Sequence, residues 1–201
     1  MLGGSSDVLT RFPRMFHKTL SFCIENSPMP STVFLRAVNV GRHQRFRPRD
    51  LAASLARFEV RSLGAAGTFV VKAAAPESEL RAAIVAELPF EPQMAVVPGE
   101  AVLRLLEEDP FADEAAALGA KRFVSVLLDS PASIPGLPLD RPEGSDWQVR
   151  LAMVESWFAL SLRRRAPKGV SYANLVVEPA LGVAATTRGW ATMVSVARAL
   201  S

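Results

Sequence analysis

The sequence predicts an α+β protein: a ferredoxin-like (βαββαβ) N-terminal half over residues 32–97, packed against a smaller α+β C-terminal half over 98–201. Three observations carry this. Strand-like and helix-like periodicities follow one another as β-α-β-β-α-β up to Pro98. The opening strand is apolar on both faces, as an interior strand covered from both sides must be. Beyond Pro98 the order changes to a short helix, several strand-like runs and two closing helices.

The opening strand runs through Phe34-Leu-Arg-Ala-Val-Asn-Val-Gly41 into a basic loop. Val33, Leu35 and Ala37 point to one face, and Phe34, Val38 and Val40 to the other. Arg36 interrupts that pattern. A guanidinium there must reach a carboxylate, carbonyls, water or a bound anion, and an internally satisfied scaffold arginine is the ordinary case. Asn39 and Gly41 suit the strand's exit, since Asn bonds locally to backbone and Gly accepts positive φ. Pro48 in a first turn, with Leu51, Leu55 and Phe58 on one stripe, marks a helix over 48–58. Segments 60–65 and 68–74 read as strands joined through Gly64-Ala-Ala-Gly67. Pro76, Glu77 and Glu79 open a second helix with the stripe Leu80, Ala83, Ile84 and Leu88, and 93–97 is the fourth strand.

In the second half, Val102, Leu105 and Leu106 mark a short helix closing at Glu107-Glu-Asp-Pro110. A strand over 121–129 precedes an irregular loop over 130–146, which holds Pro131, Pro135, Pro138 and Pro142. Segments 147–154 and 157–162 read as paired strands, followed by the basic run Arg163-Arg-Arg165 and Lys168. Ser171 or Asn174 opens a helix that ends at Gly182. The last helix is expected to take Thr187 as its N-cap, and Trp147, Trp157 and Trp190 are the expected core anchors.

At 201 residues and 49% hydrophobic content, the chain can bury a substantial core. No apolar run approaches the ~20 residues that span a bilayer, so no membrane role is predicted. Residues 1–31 lack periodicity and read as a disordered extension, with Met29 as the natural first residue of the folded body. The extension holds the sole cysteine, Cys23, which fits a reducing cytoplasm and leaves no Cys-based zinc site. It also holds His17, so the body has the single histidine His43, and neither a metal site nor a cofactor is predicted. Of the net charge of +3, the extension contributes +1 from Arg11, Arg14 and Lys18 against Asp7 and Glu25. A balance this mild argues against a protein built around polyanion binding.

Two segments carry a family resemblance. Leu35-Arg-Ala-Val-Asn-Val-Gly41 resembles the opening "LRGINVGG" of the bacterial domain of unknown function 1697 family. Leu181-Gly-Val-Ala-Ala-Thr-Thr-Arg-Gly-Trp190 resembles that family's closing "LGVPATTRNW", and Asp109-Pro-Phe111 its mid-chain "NPF". The chain departs from the pattern where the family shows "YIQSGNVVF": Ala65 and Thr68 stand in place of Gln and Asn, and Gly189 replaces the Asn before the closing Trp. The resemblance implies an α+β fold with a ferredoxin-like first half and no established activity.

The chemistry concentrates in the loop after the first strand, where Arg42, Arg45, Arg47 and Arg49 flank His43. Such a loop, between a strand end and a helix N-terminus, suits a small anionic or phosphate-bearing ligand, although charge runs usually face water. The candidate site gathers Arg36, Asn39, Gly41, Arg42 and His43, joined by Thr187 and Arg188 if the fold brings their segment to the strand end. Nucleic acid lacks support: ferredoxin-like RNA binders display stacking aromatics, and 68–74 offers only Phe69. Signals for catalysis are weaker. There is no P-loop, GxGxxG or HExxH, so an enzyme would use His43 or a carboxylate, Glu107, Glu108 and Asp109 being expected to face solvent. A protein-interaction or structural role is the remaining alternative.

Overall fold

In the computed structural model, which describes residues 30–39, 44–164 and 172–201, β1 (Ser31–Leu35) lies inside a four-stranded antiparallel sheet. It pairs with β3 (Thr68–Val71) on one side and β4 (Met94–Pro98) on the other, and β2 (Val60–Ser62) lies beyond β3. The strand order is β2-β3-β1-β4. Alternation along β1 sends Val33 and Leu35 into one core and Phe34 into another. The first core is closed by α1 (Pro48–Ser54) and α2 (Glu77–Glu87) through Leu51, Leu80 and Ile84. Both helices begin as their sequences dictate. Pro48 presets the first turn of α1, and Glu77 and Glu79 favour the positive end of α2.

The second core lies between two sheets. The second sheet holds β5 (Lys121–Leu127), β6 (Leu139–Arg141), β7 (Val149–Glu155), β8 (Phe158–Arg163) and β9 (Ala185–Gly189), antiparallel in the order β6-β7-β8-β5-β9. Between the sheets run α3 (Gly99–Glu108) and α6 (Trp190–Leu200), while α4 (Ala112–Leu118) adds Ala115. Val102 and Leu105 of α3 and Met193 and Val196 of α6 meet Phe34 and Val97 of the first sheet and Val124, Leu160 and Leu162 of the second. Each such side chain, fully buried, contributes roughly 1.5–3 kcal/mol. α5 (Asn174–Leu181) covers the far face of the second sheet, where Leu127, Leu151 and Ala159 receive Val177 and Leu181. It ends at Gly182, whose φ of 66° is the left-handed cap expected of it.

Several expectations are corrected. β1 stops at Leu35, because Ala37 and Asn39 both take φ of 55°. That turn sends Val38 back into the core of Val33 and Leu35 instead of to the opposite face, and Arg36 sits just past the strand, not within it. The first helix breaks at Ser54 and continues as a 3-10 turn over Ala56–Phe58. Leu139–Arg141 makes a strand inside the supposed irregular loop, and α4 follows α3 without a clear periodic signal. Thr187 is no helix cap. It lies in β9, and α6 starts after Gly189, because pairing with β5 holds 185–189 extended. The C-terminal half is not the smaller one, since among the described residues it carries five strands against four. Of the tryptophans, Trp147 is buried, whereas Trp157 and Trp190 are partly buried at the edge of the shared core.

Candidate functional site

The end of β1, the turn between β2 and β3, and β9 converge at one junction. Gly67 sets the approach: its φ is 70°, and a Cβ there would stand 2.6 Å from Val38 Cγ2 and 2.8 Å from Leu35 Cβ. Only glycine meets both conditions without strain. Leu35 then donates its amide to Gly67 O at 2.7 Å, which leaves the Leu35 carbonyl facing β9.

Arg188 fills this junction and is 7% exposed. All five of its donors are used. Nε donates to Thr68 Oγ1 (2.8 Å), Nη1 to Thr186 Oγ1 (2.7 Å) and Thr187 O (3.0 Å), and Nη2 to Leu35 O (2.9 Å) and Ala66 O (2.6 Å). None of these acceptors is a carboxylate. Burial pushes the guanidinium down to about 10, so it stays a cation at neutral pH, held by hydroxyl and carbonyl dipoles. Thr186 adds a bond to Leu35 O (3.2 Å), and Thr187 shares a bond with Ser125 (2.7 Å). Thr68, where the resembled pattern has Asn, serves here as an acceptor for Arg188.

Arg36 is also committed internally. It forms a two-pronged pair with Glu178 (3.0 and 3.1 Å), and reaches Ala185 O (3.2 Å) and Gln93 Oε1 (2.7 Å). Burial works to raise the Glu178 carboxyl. The Arg36 hydrogen bond, the Ala185 amide and the Arg36 charge outweigh it and hold the group below the usual carboxylate range. Asn39 closes the neighbouring turn: its Nδ2 donates to Ala65 O (2.9 Å) and its Oδ1 accepts from Phe46 N (3.0 Å). The fold therefore does bring Arg36 and Arg188 to one junction, with Asn39 beside it, but as braces between the halves. Gly41, Arg42 and His43 lie outside the described residues.

An open groove of about 570 Å³ lies next to the junction, between the segment entering α1 and the end of β2. Phe46, Arg47, Arg49, Asp50, Ser62 and Ala65 line it, and Arg45 lines its continuation past Asn39 and Phe46. Arg45, Arg47 and Arg49 are exposed. The Arg47–Asp50 separation of 4.0 Å between two largely solvated side chains gives a pair of little strength. Phe46 is half-buried, tilted on Phe69 (6.3 Å between centroids) and edge-on to Phe90 (6.2 Å). Arg45, Arg47 and Arg49 belong to the basic loop but stand outside the candidate set that the sequence predicts. Their signal was an arginine at every second position, with no acid between Arg36 and Arg49.

Elsewhere several charged groups are tied into the scaffold. Asp109, expected to face solvent, takes both its oxygens to Arg122 Nη1 (2.6 and 2.7 Å), and that guanidinium lies over Trp190 at 4.5 Å. Phe111 meets the same Trp190 edge-on at 5.3 Å. Arg150 binds Asp140 through two bonds and Glu114 through one, and stacks on Trp147. The Asp140 hydrogen bond is the strongest influence on Arg150 and holds it above its ordinary value against the opposing effect of burial. Arg163 and Arg164 of the basic run lie over Phe123 and Trp147, and the rest of that run is outside the described residues. Among the described residues, no cluster of His, Cys, Asp and Glu is placed to hold a metal ion, and no helix is long and apolar enough to cross a membrane.

Comparison with known proteins adds a family and a fold. The model of the family described as "Protein of unknown function (DUF1697)" matches residues 29–153. The solved structure of the conserved bacterial protein SP0830 from Streptococcus pneumoniae has a similar fold, with a TM-score of 0.58 at 14% identity, covering 86% of this chain and 98% of that one. No curated protein matches the chain.

Proposed function

This chain belongs to the DUF1697 family of proteins of unknown function, and we propose that it is a cytosolic binding module for a small anionic, phosphate-bearing ligand held in the arginine-lined groove. One observation carries the reading. Arg188 has all five donors taken and Arg36 is paired with Glu178, whereas Arg47 and Arg49 line an open groove in which Asp50 is the one acid among the described lining residues. A guanidinium suits phosphate because its planar donors match two oxygens at once. The rival enzyme reading is less supported, since Asp109, Glu114, Asp140 and Glu178 are engaged in ion pairs.

We also read the first sheet as ferredoxin-like. Its order β2-β3-β1-β4, antiparallel throughout, supports this, as does the packing of α1 and α2 on one face. The core shared around α3 and α6 supports treating 32–97 and 98–201 as one compact body.

The test is a thermal-shift titration of the full chain with inorganic pyrophosphate at low salt. Saturation at about a hundredfold excess over Kd should stabilise by about 2.7 kcal/mol. Arg47→Ala with Arg49→Ala should abolish the shift. Arg104→Ala with Arg198→Ala, an equal change of charge at exposed positions elsewhere, should leave it intact. An absent shift, or equal loss in both double variants, rejects the groove as a site.

A further inference from the structure

Resting on the anion-binding reading above, we infer that the ligand of the groove is a nucleotide, with its phosphates on Arg47 and Arg49 and its base against Phe46 and the open edge of β2. Phosphate recognition alone needs only the guanidinium groups. The remaining walls offer something a bare anion does not use.

The first such feature is Phe46. Its ring packs on Phe69 and Phe90, yet it lines both parts of the groove. An aromatic ring held by two others loses little freedom when a flat heterocycle is laid on it, and every base has a π face to offer. The second feature is the strand edge. Leu63 donates to Thr68 O at 2.8 Å, and Ser62 lies opposite Phe69 in the β2–β3 register. In an antiparallel pair, bonded and non-bonded positions alternate, so the Ser62 N–H and C=O point away from β3. β2 is the outermost strand on that side, and Ser62 lines the groove. One residue thus presents a donor and an acceptor side by side, and each nucleobase carries an adjacent donor and acceptor on its pairing edge. Phosphate clamps, stacking ring and hydrogen-bonding edge occur in one groove. Each of the other clusters of charge in the described residues lacks at least one of the three. The Arg122 and Arg150 clusters have aromatic partners, but their guanidinium groups are taken by carboxylates.

The experiment compares ADP with inorganic pyrophosphate by calorimetry on the full chain and on Phe46→Leu. The leucine keeps apolar packing against Phe69 and Phe90, and an unchanged melting temperature without ligand certifies the variant. ADP is expected to bind about tenfold tighter than pyrophosphate or better, the order of one stacking contact. Phe46→Leu should remove that advantage while leaving pyrophosphate affinity as it was. Equal affinities for the two ligands, or an ADP advantage that survives Phe46→Leu, overturns the nucleotide inference and leaves the anion reading standing. If neither ligand binds, both fall. Should Phe46→Leu unfold, Arg47→Ala with Arg49→Ala supplies the second measurement: the inference requires ADP to weaken there, and unchanged ADP binding rejects it.

Discussion

Two groups of arginines gather around the end of β1 and meet opposite fates. Arg36 and Arg188 are held by the fold: nine hydrogen bonds to carboxylate, amide, hydroxyl and carbonyl oxygens take all five N–H groups of Arg188 and three of the five of Arg36. Arg47 and Arg49 are left to solvent beside a groove. The difference teaches what an arginine's surroundings must supply. Where water is excluded, every N–H needs an acceptor, because an unmet buried donor costs roughly 1–3 kcal/mol and a charged one more. Where water remains, nothing obliges the protein to provide one, and the side chain is available to a ligand.

The largest effect is expected at Arg188. Arg188→Met keeps much of the stem volume but takes the guanidinium from the Ala66 carbonyl and the Thr68 hydroxyl, and leaves Leu35 O and Thr186 Oγ1 with their bond to one another. Urea unfolding should show a loss of about 3–5 kcal/mol. A loss under about 1 kcal/mol would mean that the junction rehydrates easily and is not a brace. Next comes Gly67→Ala, which forces a left-handed residue and a clash with Val38 and Leu35. We expect about 2–3 kcal/mol from the same measurement, and a neutral result would show that the turn is free to move.

The Arg36–Glu178 pair is predicted to matter less, because both side chains keep partial contact with water. Glu178→Gln should cost about 1 kcal/mol at neutral pH. The sign of its pH dependence follows from the depressed Glu178 carboxyl. Its contribution is complete above the unfolded-state value and is lost as pH falls through the lower folded-state value. Urea midpoints measured on acidification should therefore drop further for the native protein than for Glu178→Gln, and parallel curves would contradict the pairing.

Thr32 extends the comparison to a hydroxyl. It is fully buried in β1 and its Oγ1 has no partner. Thr32→Val removes the orphan without changing shape, so stability should stay level or rise by up to about 1 kcal/mol; a clear loss would reveal a hydrogen bond in solution. The smallest effect belongs to the groove. Arg47→Ala with Arg49→Ala should alter stability by no more than about 0.5 kcal/mol while abolishing the pyrophosphate response. A large destabilisation would move these arginines into the same class as Arg188.

Much of the architecture was legible in the residues themselves. The stripe of Leu80 and Ile84 in α2, Pro48 at the start of α1, Gly182 at the end of α5 and the pairing of β7 with β8 follow from periodicity and cap chemistry, which act over a few residues. That Arg36 would have to find a partner was also implied by its apolar neighbours. Which partner it finds was not. Glu178 lies 142 residues further along the chain, and the Leu35 carbonyl that Arg188 reaches is 153 residues back. The same limit explains Thr187: Thr-Thr-Arg-Gly before an apolar helix looks like a cap in isolation, and only pairing with β5 makes it a strand. Local sequence determines where helices and strands can start, because their hydrogen bonds close over short distances. Tertiary structure alone decided which arginines are buried and which stay wet, because burial is set by what the remote chain lays over each one.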